Sequence, residues 1–164
     1  MTQRERTIRW EDPAPTHAAQ KRMSGLEMLR AMRDGTLPGP PIASSMQMAL
    51  TEVDPGRAVF TCEPDESLYN PFGTMHGGAV CTLLDSAMGC AAGSLLEVGL
   101  SYTSIDIKVS FLRPITERTG QLSATGTVTK PGRRVIFAEG VFADAAGTAY
   151  ATASASFLVF PTPE

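Results

Sequence analysis

Hydrophobic and polar positions change rhythm three times along this chain. From Val80 onward, Val80, Leu83, Leu84, Ala87, Met88, Ala91 and Leu95 recur at 3.6-residue spacing, which predicts a long central helix. The stretch before it is rich in turn residues, with Pro71, Gly73 and the pair Gly77 and Gly78. Past the helix the period falls to two. Thr103, Ile105, Ile107, Val109 and Phe111 alternate with Ser104, Asp106, Lys108 and Ser110, predicting a strand over 102–112. Further strands are predicted over 46–53 and 57–63, around the turn Asp54-Pro55-Gly56, and over 121–129. Two more follow, over 135–143 after Lys130-Pro131-Gly132 and over 148–160. The last carries Ala149, Ala151, Ala153 and Ala155 on one face, a shallow surface that suits a helix rich in Gly and Ala.

The N-terminal part reads differently. Residues 1–20 are polar and proline-punctuated, with a lone Trp10, and predict a flexible leader, the alternative being an arm that docks on the domain. Residues 21–34 place Met23, Leu26, Leu29 and Met32 at helical spacing and stop at Gly35. Leu37-Pro38-Gly39-Pro40-Pro41 should break any regular structure. The expected organisation is a leader, 1–20, and a single domain, 21–164. Its fold class is α+β: an antiparallel sheet wrapped around the central helix, with an extra N-terminal helix. Short connections favour antiparallel pairing over a doubly wound parallel sheet.

Composition narrows the function. At 164 residues the chain is one domain's worth. A net charge of −3 gives no basic field for nucleic acid, and no apolar run reaches the roughly 18–20 residues of a membrane span. Cys81 and Cys90 are nine residues apart on one helix. That is roughly 13 Å along its axis, too far to bridge. The two histidines, His17 and His76, have no cysteine close in sequence, so a metal site is not expected. The reading is a reduced, metal-free cytoplasmic protein. Charged residues make up 19%, against about 25% in a typical domain, which hints at a surface covered by another subunit.

The candidate chemistry sits on the central helix. Gly78, Thr82, Asp85 and Gly89 form a second stripe, small and polar, with no Lys, Arg or Glu. This predicts a helix buried all round, carrying one acid. A helix N-terminus with two glycines offers free N–H donors and close backbone approach, suited to the oxyanion of an acyl transfer. Asp85 could then attack a carbonyl or activate water. From Gly77 to Asp85 is eight residues, roughly 12 Å of helix, so one chain cannot easily bring both to one carbonyl. Two helices packed antiparallel across a two-fold axis could. The geometry therefore predicts a homodimer with shared sites. His76 has two readings, a bond within its own loop or a direct part in the chemistry, and Asn70 either shapes a turn or orients the substrate. The basic turn of Lys130, Arg133 and Arg134 is either a charged hairpin end or a dock for phosphates, and Arg113 is a comparable candidate.

Asn70, Gly73, His76-Gly77-Gly78 and Leu84-Asp85, in that order and spacing, resemble the signature of hotdog-fold acyl-CoA thioesterases of the phenylacetate-degradation type. The downstream Ser104-Ile105-Asp106-Ile107-Lys108-Val109-Ser110-Phe111-Leu112-Arg113-Pro114 resembles the strand that follows it in that family. The similarity covers roughly residues 26–160. It implies hydrolysis of an acyl-CoA, aromatic or medium-chain, to free acid and coenzyme A, with no cofactor beyond the coenzyme A of the substrate. It also implies a dimer, possible as half of a tetramer, and a role for Ser104 in positioning the acid or the attacking water. Asp106, read as facing the same way as Ser104, is assigned a structural ion pair. The competing readings are a hotdog hydratase or dehydratase, whose Asp/His or His/Glu motifs are spaced differently, and a non-catalytic acyl-CoA-binding module, which would not need Asp85.

Overall fold

The computed structural model describes residues 2–163. Six strands form one antiparallel sheet: β1 (Met48–Asp54), β2 (Arg57–Cys62), β3 (Leu100–Phe111), β4 (Leu122–Lys130), β5 (Val135–Asp144) and β6 (Ala149–Pro161). Their spatial order is β1-β2-β4-β5-β6-β3, so β1 and β3 are the edges. The hairpins β1–β2, β4–β5 and β5–β6 close at the turns expected from Asp54-Pro55-Gly56, Lys130-Pro131-Gly132 and Gly147.

Among the described residues four α-helices accompany the sheet: α1 (Ala14–Ala19), α2 (Gly25–Arg33), α3 (Pro41–Met46) and α4 (Gly77–Gly93). The central helix α4 buries Val80, Leu83, Leu84, Ala87, Met88, Ala91 and Ala92 against the inner face of the sheet. Each leucine buried in full contributes about 1.5–3 kcal/mol, so this face dominates the core. The alanine row does lie inward, with Ala151, Ala153 and Ala155 buried. The closest approach is on β4, however, where a Cβ on Gly126 would stand 2.4 Å from the Ala87 carbonyl. Only glycine admits the helix at that point. Ser94 finishes α4: its hydroxyl donates to the Ala91 carbonyl at 2.7 Å and accepts from the Gly56 N–H at 2.8 Å.

The chain before residue 21 is not featureless. Ala19 is buried, Thr16 donates to the Pro38 carbonyl, and Arg4 and Arg6 reach Glu66 and Ser67. A capping box starts α2, with Ser24 and Glu27 bonding each other's backbone N–H. The Gly25 N–H donates to the Leu96 carbonyl at 2.9 Å, which seats α2 on the end of α4. Leu37-Pro38-Gly39-Pro40-Pro41 does break α2, yet Pro41 opens α3, because proline fits the first helical position.

Strand β3 carries one correction that matters for the site. Its register against β6 shifts between Ser104 and Asp106, leaving Ile105 as a bulge. Ser104 pairs with Phe157, and Ile107, Val109 and Phe111 pair with Ala155, Ala153 and Ala151, all on the inner face. Asp106 pairs with Ser156, one residue out of phase, and so faces the other way. The expected ion pair is replaced by a hydrogen bond from the Ser156 hydroxyl.

Candidate active site

The loop before α4 is tied down backbone by backbone. Met75 N–H donates to the Ile115 carbonyl at 2.8 Å and His76 N–H to the Leu68 carbonyl at 2.7 Å. Asn70 closes the preceding turn: its amide oxygen accepts from the Phe72 and Thr74 N–H groups, and its amide nitrogen donates to Thr74 Oγ1. Both ends of the Asn70 side chain are engaged in the loop.

The first donors of α4 are then accounted for one at a time. Ala79 and Val80 N–H bond the His76 carbonyl. Gly78 N–H donates to His76 Nδ1 at 2.9 Å, so the imidazole is the N-cap and its proton sits on Nε2. Gly77 N–H has no acceptor among the described residues. It lies in a cleft of about 430 Å³ with Asn70, Val80, Phe111, Arg113 and Tyr150. A single free donor at the positive end of a helix, facing a cleft, can take up negative charge on a ligand oxygen.

Asp85 lies two turns further along α4, half-exposed. The Ser104 hydroxyl donates to its Oδ1 at 2.7 Å, which leaves Oδ2 with no hydrogen bond to the protein. Thr103, one residue away, is on the other face of the strand. The bulge at Ile105 puts Ser104 inward. Without it, Ser104 would share the outward face of Lys108 and Ser110.

The polar stripe is only partly as expected. In the single chain it is open: Gly78 is exposed, and Thr82 and Asp85 are half-exposed, so the helix is not buried all round. Thr82 bonds the Gly78 carbonyl within the helix at 3.0 Å. The space at Gly89 is filled by this chain's own Tyr102, whose hydroxyl would lie 3.1 Å from a Cβ there, and the space at Gly78 is filled by the His76 ring. Room for a ligand is confined to the Thr82 and Asp85 level. Tyr102, which periodicity alone does not mark, also stacks edge-on against Phe157 at 5.7 Å. Burial pushes its hydroxyl well above the ordinary range and pushes the neighbouring Cys90 thiol up to about 12, with the Asp85 charge adding to both.

The basic candidates divide between the two ends of β3. Arg113 shares the Gly77 cleft and donates to the Ala149 carbonyl. Lys130, Arg133 and Arg134 are exposed in the β4–β5 turn, beyond Val135, which pairs with the same Leu158 of β6 that Thr103 pairs with. Lys130 Nζ stands 5.8 Å from the Phe137 ring centre. No group of three or more His, Cys, Asp or Glu side chains suited to a metal occurs among the described residues. Nor is any described helix long and apolar enough to cross a membrane.

One long helix lying across a curled six-stranded antiparallel sheet is the hotdog fold, and solved structures match it closely. A thioesterase family protein from Silicibacter pomeroyi superposes with a TM-score of 0.71 at 27% identity, covering 88% of this chain and 98% of that one. A phenylacetic acid degradation-related protein from Ralstonia eutropha gives 0.72 at 26% identity, over 79% and 98%. The thioesterase superfamily model matches residues 72–151. That span holds Gly77, Asp85 and Ser104. Among curated relatives, a provisionally named esterase of Haemophilus influenzae is 38% identical over 76 residues, 46% of this chain and 53% of that protein. Human acyl-coenzyme A thioesterase 13 is 27% identical over 92 residues, 56% and 64% of the two chains. This chain thus spans about half to two-thirds of the length of these two relatives.

Proposed function

We propose that this protein hydrolyses acyl-CoA thioesters to a free acid and coenzyme A. The observation that carries the reading is Asp85: the only acid on α4, half-exposed, and held through one oxygen by Ser104 while the other stays available. In this reading Asp85 attacks the thioester carbonyl or takes the proton of an attacking water, and the Gly77 N–H receives the developing oxyanion. His76 shapes the donor by engaging Gly78, and Asn70 holds the loop. The names of the relatives, an esterase and an acyl-coenzyme A thioesterase among them, support the same class.

Each site is assembled from two copies of the chain. Asp85 and Gly77 lie on one helix roughly 12 Å apart, so a partner's Gly77 must supply the donor opposite Asp85. The open level at Thr82 and Asp85 supports this, as do the exposed Phe111 and Leu112 at the free edge of the sheet. Arg113, or the turn of Lys130, Arg133 and Arg134, binds the coenzyme A phosphates. The test is a hydrolysis screen with free coenzyme A as the readout, over short, medium, branched and aromatic acyl-CoAs. Turnover on at least one class is expected. Binding without turnover across the panel would leave an acyl-CoA-binding module, and water addition to an enoyl-CoA would point to a hydratase.

A further inference from the structure

A second cavity, of about 210 Å³, lies under α2 at the far end of α4 from Gly77. Its roof is Met23, Met28 and Met32; Leu29 and Leu96 line its depth. No charged side chain contributes to it. Its polar groups are spent on each other: Gln20 Nε2 donates to Ser101 Oγ at 2.8 Å, and Ser101 Oγ also bonds the Thr162 hydroxyl at 2.8 Å. The rest of the lining is thioether and hydrocarbon apart from the Cys90 thiol and Tyr102, so a charged occupant would find no counter-charge there. Methionine is flexible and polarisable, which suits an occupant of variable shape such as an alkyl chain. The volume falls below the roughly 300–1,000 Å³ of a site that holds a whole small ligand, so it fits one part of a larger molecule.

The cavity is joined to the candidate site through Tyr102. The ring body lies over Gly93, where a Cβ would stand 2.7 Å from Cε1, and forms one wall of the cavity. Its hydroxyl lies over Gly89, one helical turn from Asp85. The tyrosine thus stands between the carboxylate and the space, half-exposed. We infer that this methionine-roofed cavity receives the distal end of an aliphatic acyl chain, with Tyr102 as the gate that the chain passes. The inference rests on the thioester reading and gives it a substrate class: medium-chain aliphatic acyl groups, whose tails extend past Tyr102. An acetyl group ends short of the cavity.

The experiment labels the methionine methyl groups with carbon-13 and titrates the full chain with S-decyl-CoA, a thioether that cannot be hydrolysed. The Met23, Met28 and Met32 resonances are expected to shift, while Met75, which lines the Gly77 cleft, responds alike to long and short thioethers. S-methyl-CoA should leave the first three unmoved. Movement of Met75 with the other three still, or no movement at all, would overturn the inference. Hydrolysis is assayed in parallel. Turnover of decanoyl-CoA with the three methyl groups unmoved defeats the subsite alone, whereas movement without turnover keeps the subsite and defeats the hydrolase reading. Met28→Trp supplies a second readout: the preference for decanoyl-CoA over acetyl-CoA should fall about tenfold or more. An unchanged preference would count against the subsite.

Discussion

The Ser104 hydroxyl donates to Asp85 Oδ1 at 2.7 Å across the gap between β3 and α4. This bond joins the sheet edge to the only acid on the helix, and it exists because the Ile105 bulge turns Ser104 inward. If it orients the carboxylate for catalysis, the two residues act as a unit. Ser104→Ala should lower kcat by about tenfold, the size of one hydrogen bond to a charged group, with little change in Tm. In an Asp85→Asn background the same change should cost almost nothing further. Independent, additive losses in the double variant would separate Ser104 from the chemistry.

Stability is most sensitive where the helix meets β4. Gly126→Ala would press a methyl group to 2.4 Å from the Ala87 backbone, where neither side can swing away. Overpacking of this kind costs about 1–3 kcal/mol, so a lower urea midpoint at unchanged m is expected. Gly147→Ala supplies a control, since nothing stands within 4 Å of its Cβ and its penalty is confined to the positive φ of 83°. A Gly126→Ala protein as stable as wild type would show that the contact relaxes freely.

Sequence made most of this frame legible. The strands fall within two residues of their predicted ends, because Asp-Pro-Gly and Lys-Pro-Gly turns and period-two runs are local signals. Gly77, His76 and Asp85 were legible for the same reason: a helix start and a lone acid can be read from one segment. The bulge was not. Alternation looks unbroken through Ser104, Ile105 and Asp106, and only the pairing with β6 reveals that one residue is skipped. Tyr102 was invisible for a related reason, since its place over Gly89 and Gly93 depends on β3 returning along α4. Proline at 41 opens α3 because the bar on proline holds for helix interiors and not for the first helical position.

The three thiols offer a check on the packing. Burial raises Cys62 to about 11 and Cys90 to about 12, and it raises Cys81 as well. All three are therefore protonated at pH 8, where only the thiolate reacts. Labelling with a disulfide reagent at pH 8 should be slow in the native protein and fast for three groups in urea. Rapid native labelling of Cys62 would mean that the sheet opens near β2.

The phosphate dock can be placed by comparing substrates. If Lys130, Arg133 and Arg134 hold coenzyme A, replacing all three with Ala should raise KM about tenfold for acyl-CoA. Short pantetheine thioesters, which lack the phosphates, should be unaffected. Arg113→Ala tests the other end of β3 in the same way. Equal effects on both substrate types would assign the turn a structural role.

Site sharing is open to complementation. Asp85→Asn is mixed with Gly77→Val, which crowds the Phe111 ring 3.0 Å from the added Cβ and closes the donor end. A heterodimer carries one site with both lesions and one with neither. Random pairing should restore up to about one quarter of wild-type activity. Dead mixtures with heterodimers demonstrably formed would place both groups in one chain.

The most direct measurement is the turnover of Asp85→Asn on the best acyl-CoA from the screen, with fold verified by circular dichroism and melting. Asn keeps the shape of Asp and removes the charge, so the protein should fold as before. Loss of a nucleophile or essential base should lower kcat by about 10²–10⁴ while leaving acyl-CoA binding in place. An Asp85→Asn protein that hydrolyses the substrate at the wild-type rate would contradict the account at its centre.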